Sequence, residues 1–153
     1  MKSLLAREEV RIFAAPAYLF AISNFLITNI DTIKIWITKA GLGKVEELLE
    51  EMLYCIEELS VKSEKEINNF HFPQTFDEYG YTEKYITIKV NTISLFMIIQ
   101  LINLHRKIVI DNIIIEDQGL DLKEELSKCL ESIIETATAA TQSTITDYNG
   151  LLN

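Results

Sequence analysis

The chain is expected to fold as an all-α, four-helix bundle with a short crossover segment between helices two and three. Three observations predict this. Apolar residues recur every three or four positions over long runs, most regularly in VEELLEEMLYCIEELSVK at 45–62. Punctuation is scarce, since the 153 residues include five Gly and two Pro, so the elements should be long. Isoleucine is abundant and favours strands, but the runs are too long for strands and lack turn clusters that would cut them into hairpins. The length suits one domain over residues 1–153.

Residues 1–15 read as a leading segment or short helix, with Ser3 as a candidate N-cap. Helix one spans 16–39, opening at Pro16, whose missing N–H costs nothing in a first turn. Its stripe of Leu19, Ile22, Leu26, Ile30, Ile33 and Ile37 is widened by Phe20, Phe25 and Trp36. A helix apolar over so much of its circumference should be buried on more than one side, which suggests contact with a second subunit. Ala40-Gly41-Leu42-Gly43 ends it.

Helix two spans 43–69 and buries Leu48, Leu49, Met52, Leu53, Ile56 and Leu59, with Val45 at the head of the stripe. The aromatic-rich stretch FHFPQTFDEYGYT at 70–82 forms the crossover. Helix three spans 83–116, closed by Gln118-Gly119, and helix four spans 120–149, stopped at Asn149-Gly150. No internal repeat is evident.

The net charge of −9 argues against sequence-independent DNA binding, which relies on Lys and Arg displacing counterions from phosphates. Cys55 and Cys129 form no CxxC pair and read as buried free thiols on separate helices. Arg7, Glu8, Glu9 and Arg11 interrupt the N-terminal apolar residues, so no signal peptide is expected. The most apolar stretch, Ile93 to Leu104, contains Gln100 and Asn103 and falls short of the roughly 20 residues of a membrane span. A cytoplasmic protein without a membrane partner is the expectation.

IWITKAG at 35–41, VEELLEEMLYCIEELSVK, FPQTFDEY and IIEDQGLDLKEELSKCLESI occur in an order that resembles the Dps family of mini-ferritins. The resemblance implies a ferritin-like shell subunit for iron binding or storage, assembled as a homo-oligomer, a dodecamer in the family. It also implies a ferroxidase site between subunits, made of two histidines, an Asp and a Glu. Aligned on Trp36, the histidine positions are Ile35 and a residue near Leu42. The Asp position is Glu57, the Glu position is Val61, and Glu46 keeps an auxiliary acid. Iron oxidation needs converging oxygen and imidazole donors with open coordination positions. A degenerate or absent ferroxidase centre, with Glu46 and Glu57 as its remnants, is therefore expected, and no catalytic residue is assigned. The Glu-x-x-His pair of longer ferritins is missing too, as Asn68 and Ile102 precede His71 and His105 by three.

Glu46, Glu47, Glu50 and Glu51 are like-charge neighbours at helical spacing, which costs only roughly 0.2–0.5 kcal/mol per pair. A solvated face is the plain reading of this cluster. In the mini-ferritin reading, Glu47, Glu50 and Glu51 line a cation-nucleating inner wall, with iron as the implied ion. The alternative function is a small all-α protein-interaction or regulatory module without metal chemistry, such as a dimeric regulator or immunity-type binder. A bundle that takes an apolar ligand between helices one and three is a third reading. No phosphate-cradling Gly loop, zinc ligand cluster or nucleophile with a nearby base emerges.

Overall fold

The computed structural model describes residues 6–68, 81–117 and 120–152, with side chains described over 6–67, 81–113 and 123–142. These residues form two strands and six helices. They run β1 (Glu8–Ala14), α1 (Pro16–Thr28), α2 (Ile30–Lys39), α3 (Glu46–Asn68), β2 (Lys84–Val90), α4 (Thr92–Leu104), α5 (Arg106–Asp117) and α6 (Leu120–Leu152). The chain is mostly helical, as expected, but it also carries a two-stranded antiparallel sheet.

Three expected elements are corrected. Residues 8–14 form a strand rather than a leading helix, because Val10, Ile12 and Ala14 alternate with Glu9, Arg11 and Phe13. The expected third helix begins as a strand for the same reason. In KYITIKV, Ile86, Ile88 and Val90 point inward while Tyr85, Thr87 and Lys89 point out. The long first helix is cut at Asn29 (φ −110°, ψ 36°) and the third is cut again at His105 (φ −103°, ψ 21°). The Asn29 side chain donates to the Phe25 carbonyl at 2.9 Å and holds that break. Helix four runs on through Asn149-Gly150 to Leu152. The crossover at 69–80 and Gln118-Gly119 lie outside the described residues.

The glycine break holds as expected. Gly41 has φ +77°, and its N–H bonds to the Thr38 carbonyl while that of Leu42 bonds to the Ile37 carbonyl. That pair of bonds is a Schellman ending, which needs the left-handed residue glycine adopts cheaply. Val45 lies just ahead of α3 and is 56% exposed, so the buried stripe begins further along at Met52, Cys55, Ile56 and Leu59.

A repeat missed in the sequence organises these elements. β1 and β2 are each seven residues with the same alternation of burial, and α1 and α4 are each 13 residues. Each 13-residue helix is followed by a one-residue break, a shorter helix and a long one. Val10, Ile12, Leu19, Ile22, Leu26 and Ile33 match Ile86, Ile88, Leu95, Ile98, Ile102 and Val109, all buried. In the long helices Met52, Cys55, Ile56 and Leu59 match Leu126, Cys129, Leu130 and Ile133, again all buried.

The described residues are thus a strand and three helices, twice over. In the sheet Arg11 stands opposite Thr87, its own equivalent, so an approximate two-fold axis passes through the middle of the ladder. The packing is crossed: α6 lies on β1 and α3 lies on β2. The strand edges are covered in the same crossed way. Ser132 of α6 donates to the Phe13 carbonyl, and the equivalent Glu58 of α3 accepts from the Lys89 N–H at 3.4 Å. Unpaired strand edges invite pairing with other chains, and side chains that bond to them block it.

The halves differ where the first long helix begins. α1 has Ala15 at its N-cap, with no side-chain bond, and relies on Pro16 in the first turn. The equivalent Asn91 caps α4, accepting from the Ser94 N–H (2.9 Å) and hydroxyl (2.8 Å) and donating to the Ala6 carbonyl (3.0 Å). Because this amide is buried, Asn91→Ala should cost about 1–3 kcal/mol in urea unfolding.

Among the described residues no single helix is long and apolar enough to cross a membrane. α4 and α5 reach that length only together and are bent by 74° at His105.

A candidate binding cleft between α2 and α3

α3 presents Glu50, Leu53, Tyr54 and Glu57 along one face, spaced so that they stack one turn above another. Across from them stand Ile27 at the end of α1 and Ile30 and Lys34 on α2. Arg7, just before β1, closes one end. Together with Glu51 these residues line a cleft of about 500 Å³, with aliphatic walls and a charged mouth. That size lies within the range of small-ligand and side-chain sites.

Arg7 and Glu51 form a two-bond ion pair. Nη2 lies 2.9 Å from Oε1 and Nε lies 3.2 Å from Oε2. The guanidinium also sits 3.6 Å above the Tyr54 ring, a cation–π contact. The Glu51 hydrogen bond holds the Arg7 pKa above its ordinary value, so this end of the cleft is a neutralised pair. Glu50, Glu57 and Lys34 are exposed at the mouth and make no ion pair with any described residue.

The acidic residues singled out in the sequence therefore separate. Glu50, Glu51 and Glu57 share the cleft, whereas Glu46 and Glu47 lie in the exposed first turn of α3 and do not line it. Among the described residues no group of three or more His, Cys, Asp or Glu side chains is placed to hold a metal ion. His105 is half-buried, and its ring stacks on Trp36 at 4.0 Å and 9°. His71 lies outside the described residues.

Arg7, Ile27, Ile30, Lys34 and Tyr54 were not read as site residues from the sequence. Only Tyr54 is near the acidic cluster in the chain, and the others come from α1, α2 and the segment just before β1. The internal repeat would have drawn attention to them, because it is at these positions that the halves disagree.

No family model, curated protein or solved structure matches the chain. The comparison that informs the site is internal. Ile30 corresponds to Arg106, Lys34 to Ile110, Leu53 to Ser127 and Tyr54 to Lys128, whereas Glu50, Glu51 and Glu57 correspond to Glu124, Glu125 and Glu131. The acids are kept and their surroundings change. In the second half Arg106 Nη2 bonds to Glu131 Oε1 at 2.6 Å, at the place where the first half has Ile30 beside Glu57.

The same comparison accounts for a second depression, about 350 Å³ between α1 and α5, lined by Asn24, Thr28, Asn29 and Asn112 among others. Its equivalents of Asn29 and Asn112 are His105 and Trp36, the stacked pair. The shallow polar groove on one side of the molecule is filled by two rings on the other.

Proposed function

We propose that the protein is a small interaction module that takes a group from a partner polypeptide in the α2–α3 cleft, without metal chemistry. The observation that carries this reading is the cleft itself. Ile27, Ile30 and Leu53 give it apolar walls, and Glu50, Glu57 and Lys34 place at its mouth charge that no described residue pairs. A few placed charges over an aliphatic floor can bind and orient a side chain. Among the described residues no Ser, Thr, Cys or His side chain lines the cleft with them.

The alternative, a ferritin-like four-helix shell subunit that stores iron, rests on the sequence resemblance, and no contact among the described residues adds to it. Mass in solution by light scattering separates the two. A monomer or small oligomer accords with the module, whereas a particle of about twelve subunits overturns it in favour of the shell.

The direct test of the module is an NMR titration of the ¹⁵N-labelled full chain with acetyl-Ala-X-Ala-amide tripeptides, with X drawn from each side-chain class. At least one class should shift the amides of Ile30, Leu53 and Glu57 in a saturable way. Leu53→Trp, which adds bulk to the half-buried wall, should abolish those shifts. If no class moves the cleft amides, the reading fails.

A further inference from the structure

The two halves offer the same carboxylate in two environments. Glu131 on α6 is paired with a guanidinium from its own chain, Arg106, at 2.6 Å. Its equivalent on α3, Glu57, lines the open cleft beside Ile30 and has no described ionic partner. From this contrast we infer that the cleft receives the side chain of an arginine presented by a partner polypeptide. Its guanidinium would pair with Glu57 as Arg106 pairs with Glu131. The inference rests on the module reading above and names the group that such a module takes.

The other walls suit that occupant. An arginine stem is three methylenes long and seats on aliphatic surface, which Ile27, Ile30 and Leu53 supply. The planar fork bonds carboxylates two at a time and is less strongly hydrated than an ammonium, so it enters a half-buried site more readily. Charge favours it as well. With Arg7 neutralising Glu51, the mouth holds Glu50 and Glu57 against Lys34 alone, an excess of one negative charge. Lys34 does not stand in for Arg106. It sits one turn further along α2, at the position equivalent to the buried Ile110, and makes no ion pair with a described residue.

The test uses two of the tripeptides, acetyl-Ala-Arg-Ala-amide and its citrulline counterpart, which keeps the shape and loses the charge. The arginine peptide should shift the Ile30, Leu53, Tyr54 and Glu57 amides at millimolar concentration. The citrulline peptide should bind at least about tenfold more weakly, a difference of about 1.4 kcal/mol. Ile30→Arg copies the second half, so it should remove binding while the remaining spectrum stays folded.

Arg106→Ile is the reciprocal variant. It should create a second set of arginine-dependent shifts around Lys128 and Glu131, and it does not depend on Ile30→Arg folding. Equal binding of the citrulline peptide in the cleft, or cleft binding by other classes but not by arginine, overturns the arginine assignment and leaves the module. Failure of every peptide class at the cleft overturns both.

Discussion

Ile12→Ala is expected to lower the unfolding free energy by about 2–5 kcal/mol, and Ile88→Ala by a similar amount. Both side chains are essentially inaccessible, at 0% and 1% exposure, on the inner face of the sheet. Ile12 faces the α6 side and Ile88 the α3 side, in the crossed packing of the two halves. Each truncation removes methyl and methylene groups from close contact and leaves a cavity between a strand and a long helix, which cannot collapse without moving the ladder. The duplication adds a sharper expectation, that the two costs agree to within about 1 kcal/mol. Urea unfolding of both variants checks this, and a large asymmetry would mean that one half carries most of the core.

Stability is expected to fall steeply above pH 9, through the two buried thiols. Burial raises both pKa values above the ordinary 9.0, that of Cys129 to about 12. At Cys55 the nearby Glu51 charge adds to the effect of burial. The folded state therefore keeps protons that the unfolded state releases in the window from pH 9 to about 12. A proton bound preferentially by the folded state makes stability decrease as pH rises.

Each thiol contributes up to about 1.4 kcal/mol per pH unit across that window, and below pH 9 its contribution is fully present. Urea midpoints between pH 8 and 11 for the wild type and Cys129→Ala isolate the effect, since the variant should show a shallower loss. The same burial should keep both thiols inert to a disulfide reagent at pH 8 until the chain unfolds. Rapid reaction of the folded protein would show that the helices open locally.

The sequence revealed the helical character and the buried stripe of α3, because Met52, Ile56 and Leu59 repeat at helical spacing over a long run. The strands were legible in principle. KYITIKV alternates cleanly, but Tyr85 and Ile88 also fit a three-residue step, and the helical pattern that follows absorbed them. The breaks at Asn29 and His105 carry neither glycine nor proline, so only the tertiary packing reveals them. The repeat stayed hidden because its identities are scattered, among them Ile12 with Ile88, Leu19-Phe20 with Leu95-Phe96, Glu50-Glu51 with Glu124-Glu125, Cys55 with Cys129 and Glu57 with Glu131. A difference in length between the short and long helices also shifts the alignment partway along. Of the cleft, the α3 face was visible as an acidic helix, whereas its opposite wall is assembled by α1, α2 and Arg7 from distant parts of the chain.

The crossed packing of strands and helices also governs how the protein comes apart. Each half's strand is covered by the other half's long helix, and each strand edge is closed by a side chain from that same helix. Detaching one half would strip the inner face of both strands and the matching stripes of α3 and α6 at once. An intermediate with one half intact keeps the packing of α1 on α3, or of α4 on α6, but loses the helix that covers its strand. Unfolding is therefore expected to be a single cooperative event despite the duplicated design, and amides in β1 and β2 should exchange with solvent only through global opening.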